Sequence, residues 1–468
     1  MSASLHVERE AQFGFLPTAR SERPFGLWDY LAVQVGFGIA AWCFLVGGLT
    51  GSVLDAQTAI PVILLGNAFP VFLIAPLALL FARYGVDTFI GVRAALGYRG
   101  ADIFFLIFAI LNLGWITIAT FLLGESAIKV MAQLGAPEFL TTEETGAPIF
   151  AIGAFIVALA IAYRGPLVIR WLIRIGVPAL FIILVGLIAY VLVVEGVDKL
   201  FSAQPASPYD EPRRNVASAL EWNVGLGFSW LPYLGQWSRL TTSERSAYNG
   251  AFFGWGVLLN VAGIFGAFTA LLIGSLDPTD WMIAAGGVGL GLVALLLMIV
   301  ANLTSAVILI YSQALSVKSV FPRFRWSWAV ATTLPAAVLM SSPTFYANYS
   351  RFLAYISFIM AAYAGVLVVD YLILRRQRVS VPELYNRGGA YQYWGGINIV
   401  AYATIVLGGL FYFWTYNPAD DVAGPLFTWL SAGIPTFFLT AAVYLVASLV
   451  VLRRSVAVTA PKTAPSLD

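Results

Sequence analysis

Apolar residues gather in runs of about twenty, separated by short polar segments, and runs of that length span a bilayer when wound as helices. The roughly ten-residue alternation of barrel strands is missing. The pattern predicts twelve helices, near 29–51, 57–82, 103–124, 147–163, 171–194, 219–235, 248–274, 283–314, 327–342, 352–374, 397–416 and 425–451. Two of them carry their own breakers. Residues 34–42 of span one read QVGFGIAAW, and residues 223–231 of span six read NVGLGFSWL, followed by Pro232.

Spans one and six occupy corresponding places in a five-plus-five repeat, and because they enter from opposite sides, the two repeats have inverted topology. Lipid offers no hydrogen-bond partner, so a helix is interrupted at membrane depth only where protein or a water-filled cavity surrounds the break. Freed carbonyls there can ligate a cation, and half-helix N-termini can face a polar or anionic ligand. The matched Val-Gly-x-Gly segments at Val35 and Val224 therefore point to a midplane site. The competing reading is that these glycines let helices pack closely. The expected organisation is a tail at 1–28, a first repeat at 29–194, a second at 219–374, a helix pair at 397–451 and a tail at 452–468.

Lysine and arginine fix an orientation. With both termini on one side, that side holds 21 of the 26 basic residues; the other holds only Lys129, Lys199, Arg213, Arg214 and Arg351. Cytoplasmic termini in a bacterial-type inner membrane are expected. Composition agrees: 60% of the chain is hydrophobic and 11% charged, with mean hydropathy +0.84, beyond what a soluble domain reaches. A net charge of +2 makes no case for nucleic acid. The single cysteine, Cys43, excludes an internal disulfide, and the single histidine, His6, lies in the N-terminal tail, so a histidine relay is excluded. The first 26 residues lack the apolar stretch of a cleaved signal. No pair of histidines or acids is placed for acid–base or metal chemistry, which argues against an enzyme.

Aromatic and polar residues in mid-span supply the candidate ligands. Trp115, halfway through span three, can stack a flat heterocycle or simply pack in the core. Phe228 and Trp230, after the glycines of span six, could oppose it. Span eight carries Asn302, Thr304 and Ser305 among leucines and valines; their hydroxyls suit sodium, or bond back to carbonyls one turn earlier. Asp29, Glu125, Glu221 and Asp370 all fall near predicted span ends, and this favours sodium over a proton as coupling ion.

Two segments resemble a known family. RYGVDTFIGVRAALGYRGA at 83–101 and VVDYLILRRQRVSVPELYNRGGAYQYWGGIN at 368–398 are similar to inner loops of the nucleobase:cation symporters, which include cytosine, purine and hydantoin permeases. The similarity extends from about residue 25 to 450. The resemblance implies an all-α membrane protein of twelve transmembrane helices, a five-plus-five inverted repeat of the leucine-transporter type plus two C-terminal helices. It implies uptake of a nucleobase, hydantoin, allantoin or related heterocycle by alternating access, coupled to Na+ or H+, with no other cofactor and the chain acting as a monomer. By the same resemblance the ring stacks on Trp115 and meets Gly225, Gly227, Phe228 and Trp230. Ala119, with Thr120 beside it, replaces an amide that some members place one turn after the tryptophan. Sodium is held by span-one carbonyls near the break, at Val35 and Gly38, and by Ala301, Thr304 and Ser305. Gln236 stands where an acid is usual, and the substrate-contacting asparagine of span eight has no evident counterpart. A sodium-coupled amino-acid transporter on the same fold, and a channel, are the competing readings.

Overall fold

The computed structural model describes residues 15–164, 184–277 and 291–452, with 177, 181, 279, 280, 283 and 289 between them. Much of the first half of the fifth expected span, and the start of the eighth, lie outside the described residues. Each of the other expected spans has a helix at its place. Among the described residues seven helices are long and apolar enough to cross a bilayer, and the bent first span makes an eighth.

Span one splits into α1 (Leu27–Gly38) and α2 (Ala41–Val53), whose axes diverge by 59°. The chain leaves helical geometry at Ile39 (φ −74°, ψ 79°) and runs extended through Ala40 (φ −132°, ψ 167°). The carbonyl of Gly38 at the break accepts from the Ala40 N–H at 2.8 Å and the Cys43 thiol at 3.0 Å. Gly38 lets the Leu259 side chain approach the break: a β-carbon there would sit 1.9 Å from its Cδ1 and force that side chain to shift.

Span six breaks elsewhere than its glycines predict. Helix α3 (Pro212–Ser229) runs unbroken through Gly225 and Gly227, then gives way at Trp230 to a tight turn, Leu231–Tyr233, before α4 (Leu234–Ser238) resumes. Pro232 lies inside that turn, where its missing N–H and its ring bar a regular α-helix. The glycines instead admit neighbouring helices: a β-carbon at 225 would lie 2.4 Å from the Leu353 carbonyl, and one at 227 would lie 2.8 Å from that of Asn67. Close packing thus accounts for this half of the Val-Gly-x-Gly echo.

Span seven is a helix with an internal π-turn, Phe252–Leu258, continuing as α5 (Asn260–Ile273). Such a turn frees carbonyls that membrane burial forbids leaving bare. Asn67 of span two donates to the Trp255 carbonyl at 2.6 Å and to Asn260 Oδ1 at 2.8 Å, while Asn260 donates to the Gly256 carbonyl at 2.7 Å. Helices α2 and α5 meet along small residues: a β-carbon at Gly47 would strike the backbone of Gly263, and one at Gly51 that of Ala267.

Spans three, four, eight and ten are Tyr98–Gln133, Gly146–Tyr163, Leu292–Val320 and Tyr349–Val368, the last continuing as a π-turn to Leu374. Span nine is two short helices, Trp326–Ala331 and Ala336–Leu339. Spans eleven (Ile399–Thr415) and twelve (Gly433–Val451) are tied to the rest by buried carboxylates. Glu221 accepts from the N–H groups of Ala432 and Gly433 at 2.7 and 2.9 Å, where span twelve begins, and from the Tyr412 hydroxyl at 2.8 Å. A carboxylate at a helix N-terminus meets both free donors and the positive end of the helix dipole. Asp370 pairs with Arg375 at 2.6 Å and accepts from Tyr444 of span twelve at 3.0 Å.

Candidate substrate pocket

Both broken spans deliver aromatic rings to one point in the bundle. Phe37 and Trp42 flank the break of span one, Ser229, Trp230 and Tyr233 come from the break of span six, and Trp115 and Leu309 close the sides. The cavity between them measures about 10 Å³, room for a single water. A heterocycle enters only when the rings or half-helices around it move apart.

The rings brace one another edge to face. Trp115 meets Trp42 at 5.6 Å between centroids, and Phe37 meets Trp230 at 5.3 Å and Tyr233 at 5.0 Å. Trp115 is held from behind by Phe352 at 5.3 Å. Trp230 lies flat on Trp255 of the π-turn, 4.7 Å away and 14° from parallel. The indole N–H of Trp230 is buried with no hydrogen-bond partner among the described residues. Indole nitrogen is a donor only, so such a group leaves hydrogen-bonding capacity for an acceptor-bearing ligand.

Beside the pocket runs a polar chain that sequence reading missed. The Tyr233 hydroxyl donates to Asn112 Oδ1 at 2.6 Å; Asn112 Nδ2 donates to Gln313 Oε1 at 2.7 Å and to the Leu309 carbonyl at 3.2 Å. Gln313 passes the chain on to the Thr332 carbonyl at 3.2 Å. Asn112 lies three residues before Trp115, on the same helix face, and a polar side chain in mid-span was the available signal.

Of the residues expected at the substrate, the pocket brings together Trp115 and Trp230. Phe228 points elsewhere, stacking on Phe437 of span twelve at 5.7 Å. Gly225 and Gly227 are spent on packing, and Ala119 is fully buried outside the pocket lining. Thr120 bonds back to the Ile116 carbonyl at 2.9 Å and touches Met340 of span nine. Gln236, in place of an acid, donates to Ser316 at 2.6 Å.

For the cation, the span-eight helix packs against α1. Val35 O accepts from the Ile39 N–H at 2.7 Å, and each of the Val35 and Gly38 carbonyls sits within one turn of the break. Thr304 donates to the Val300 carbonyl at 2.8 Å, the back-bond that sequence reading weighed against sodium binding, which still leaves its lone pairs directed away from that bond. Among the described residues Ser305 Oγ is buried with no partner, and Ala301 is buried one helical turn before it. Among the described residues no group of three or more His, Cys, Asp or Glu side chains is placed to hold a metal.

A bent first span, a broken sixth and an aromatic pocket where they meet define a membrane transporter of the leucine-transporter fold. The chain belongs to the family of permeases for cytosine/purines, uracil, thiamine and allantoin, whose model matches residues 17–431; it is a transporter and not an enzyme. It is 24% identical over 408 residues to the hydantoin permease of Microbacterium maritypicum, covering 83% of this chain and 81% of that one. It is 22% identical over 430 residues to the allantoin permease of Bacillus subtilis (strain 168), covering 84% and 85%. Its fold matches Mhp1, a nucleobase-cation-symport-1 family transporter solved in a closed conformation with bromovinylhydantoin bound, at TM-score 0.77 and 20% identity over 94% of each chain.

Proposed function

We propose that this protein imports a small planar heterocycle of the hydantoin, allantoin or nucleobase class together with a sodium ion, by alternating access. The observation that carries the reading is that Trp115 of span three and Trp230 at the break of span six line one cavity. A flat ring held between two indoles gains stacking energy without needing a charge. The matching family model and the hydantoin and allantoin permeases among the relatives support that substrate class. An α-amino acid would instead need the N–H groups at the span-one break and the sodium for its carboxylate, and would leave the two indoles without a flat ring to stack.

Sodium is taken by the Val35 and Gly38 carbonyls at the first break and by Ala301, Thr304 and Ser305 of span eight. Neutral oxygens suit a hard monovalent cation, and the partnerless Ser305 hydroxyl supports the assignment. The basic-residue count supports cytoplasmic termini in the cell membrane. The test is equilibrium binding of labelled hydantoin, allantoin and nucleobases to Trp115→Ala: loss of binding is expected in a variant that still elutes as a single species, and retained affinity would remove the stacking role.

A further inference from the structure

A second cavity, of about 450 Å³, opens at the end of the bundle assigned to the outside, far larger than the space in the central pocket. That volume is in the range of small-molecule sites. Its wall carries four carboxylates, Glu125, Glu143, Asp277 and Asp280, against a single ammonium, Lys129. Lys129 is already taken, with Nζ 2.6 Å from both Asp277 and Asp280. Two aspartates on one lysine leave one negative charge over, before Glu125 and Glu143 are counted.

Glu125 is the telling residue. It lies ten positions after Trp115 on the same helix, about 15 Å along the axis. Its side chain lines the cavity and is only 7% exposed, and its Oε1 has no hydrogen-bond partner among the described residues. Ionising a buried carboxyl without a partner is costly, and the surrounding acids add to that cost, so the charged form needs a counter-ion. A cation delivered into the cavity relieves both penalties at once. Tyr346 and Tyr349 add aromatic surface to the same wall, and ring faces attract cations.

We propose that this cavity is a second binding site, for a small organic cation with an amidinium or ammonium group, anchored by the Glu125 carboxylate. The site is independent of what the central pocket carries. It also adjoins that pocket: Tyr349, in the cavity wall, touches the Trp115 ring at 6.1 Å and donates its hydroxyl to the Trp42 carbonyl at 3.1 Å. An occupant therefore rests against the residue that holds two rings of the central pocket.

The test is calorimetric titration of the purified full-length protein at pH 9 with benzamidinium and with benzamide, its neutral near-isostere. Benzamidinium is expected to bind at least about tenfold tighter, the scale of one desolvated charge contact. Glu125→Gln should abolish that preference, Glu143→Gln should weaken it about two- to threefold as a rim charge does, and Trp230→Ala, which alters the central pocket away from the Tyr349 wall, should leave it within about threefold. Should Glu125→Gln fail to fold, the probe preference and the Glu143→Gln and Trp230→Ala variants still decide. Equal binding of the two probes, indifference to Glu125→Gln, or loss in Trp230→Ala, which would place the probe in the central pocket, would each overturn the proposal. Displacement by sodium but not by equal potassium would assign the site to an inorganic cation and overturn it as well.

Discussion

The indole of Trp230 stacks on that of Trp255, with 4.7 Å between centroids and 14° between planes. One ring stands at the break of span six and the other inside the π-turn of span seven, so two departures from regular helix meet face to face. The stack fixes one wall of the pocket before any ligand arrives. Trp230→Ala should lower heterocycle affinity by about tenfold or more, and Trp230→Phe by less, since a ring is retained. Trp255→Ala should act only through the lost backing, with a smaller rise in Kd. Equal losses at both positions in a binding titration would contradict this order.

Tyr233, Asn112 and Gln313 form one hydrogen-bonded chain across spans six, three and eight. Tyr233→Phe leaves a carbonyl lone pair of Asn112 buried without its donor, at a cost of about 1–3 kcal/mol. A fall in Tm of the purified variant is expected. An unchanged Tm would mean that water replaces the hydroxyl.

Glu221 joins span six to the start of span twelve through two backbone N–H groups. Glu221→Ala should destabilise strongly, because hydrogen bonds to a charged group are worth about 1.5–3 kcal/mol each. Substrate affinity of the surviving folded fraction should be near wild type, since Glu221 is not in the pocket lining. A change in Kd without a change in Tm would show that the carboxylate acts on transport instead.

Thr304→Ala combined with Ser305→Ala should flatten the response of uptake to sodium. If the double variant keeps the wild-type sodium dependence in vesicles, the cation lies elsewhere.

The spans were legible because a twenty-residue apolar run has few other uses, and the first break was legible at Gly38. The sixth break was misplaced, because a glycine pair signals close packing as readily as interruption, and Pro232 was the better marker. That shift also explains Phe228. With the helix continuing to Ser229, residues 228 and 230 lie about 200° apart, so only one of them can face the pocket. Gln313 stands at the end of the eighth expected span, 314, whereas its helix runs on to Val320 and holds that amide well inside. Glu221 looked terminal for a similar reason: α3 starts at Pro212, seven residues before the expected span. Pairings such as Asn67 with Trp255 join positions 188 residues apart and have no local signature.

The measurement that tests the central claim most directly is tryptophan-fluorescence quenching of the purified protein, titrated with hydantoins, allantoin, nucleobases and amino acids, with and without sodium. Quenching by a planar heterocycle that tightens in sodium and disappears in Trp115→Ala is the predicted result. Quenching by amino acids alone, or by a heterocycle equally well in Trp115→Ala, would contradict it.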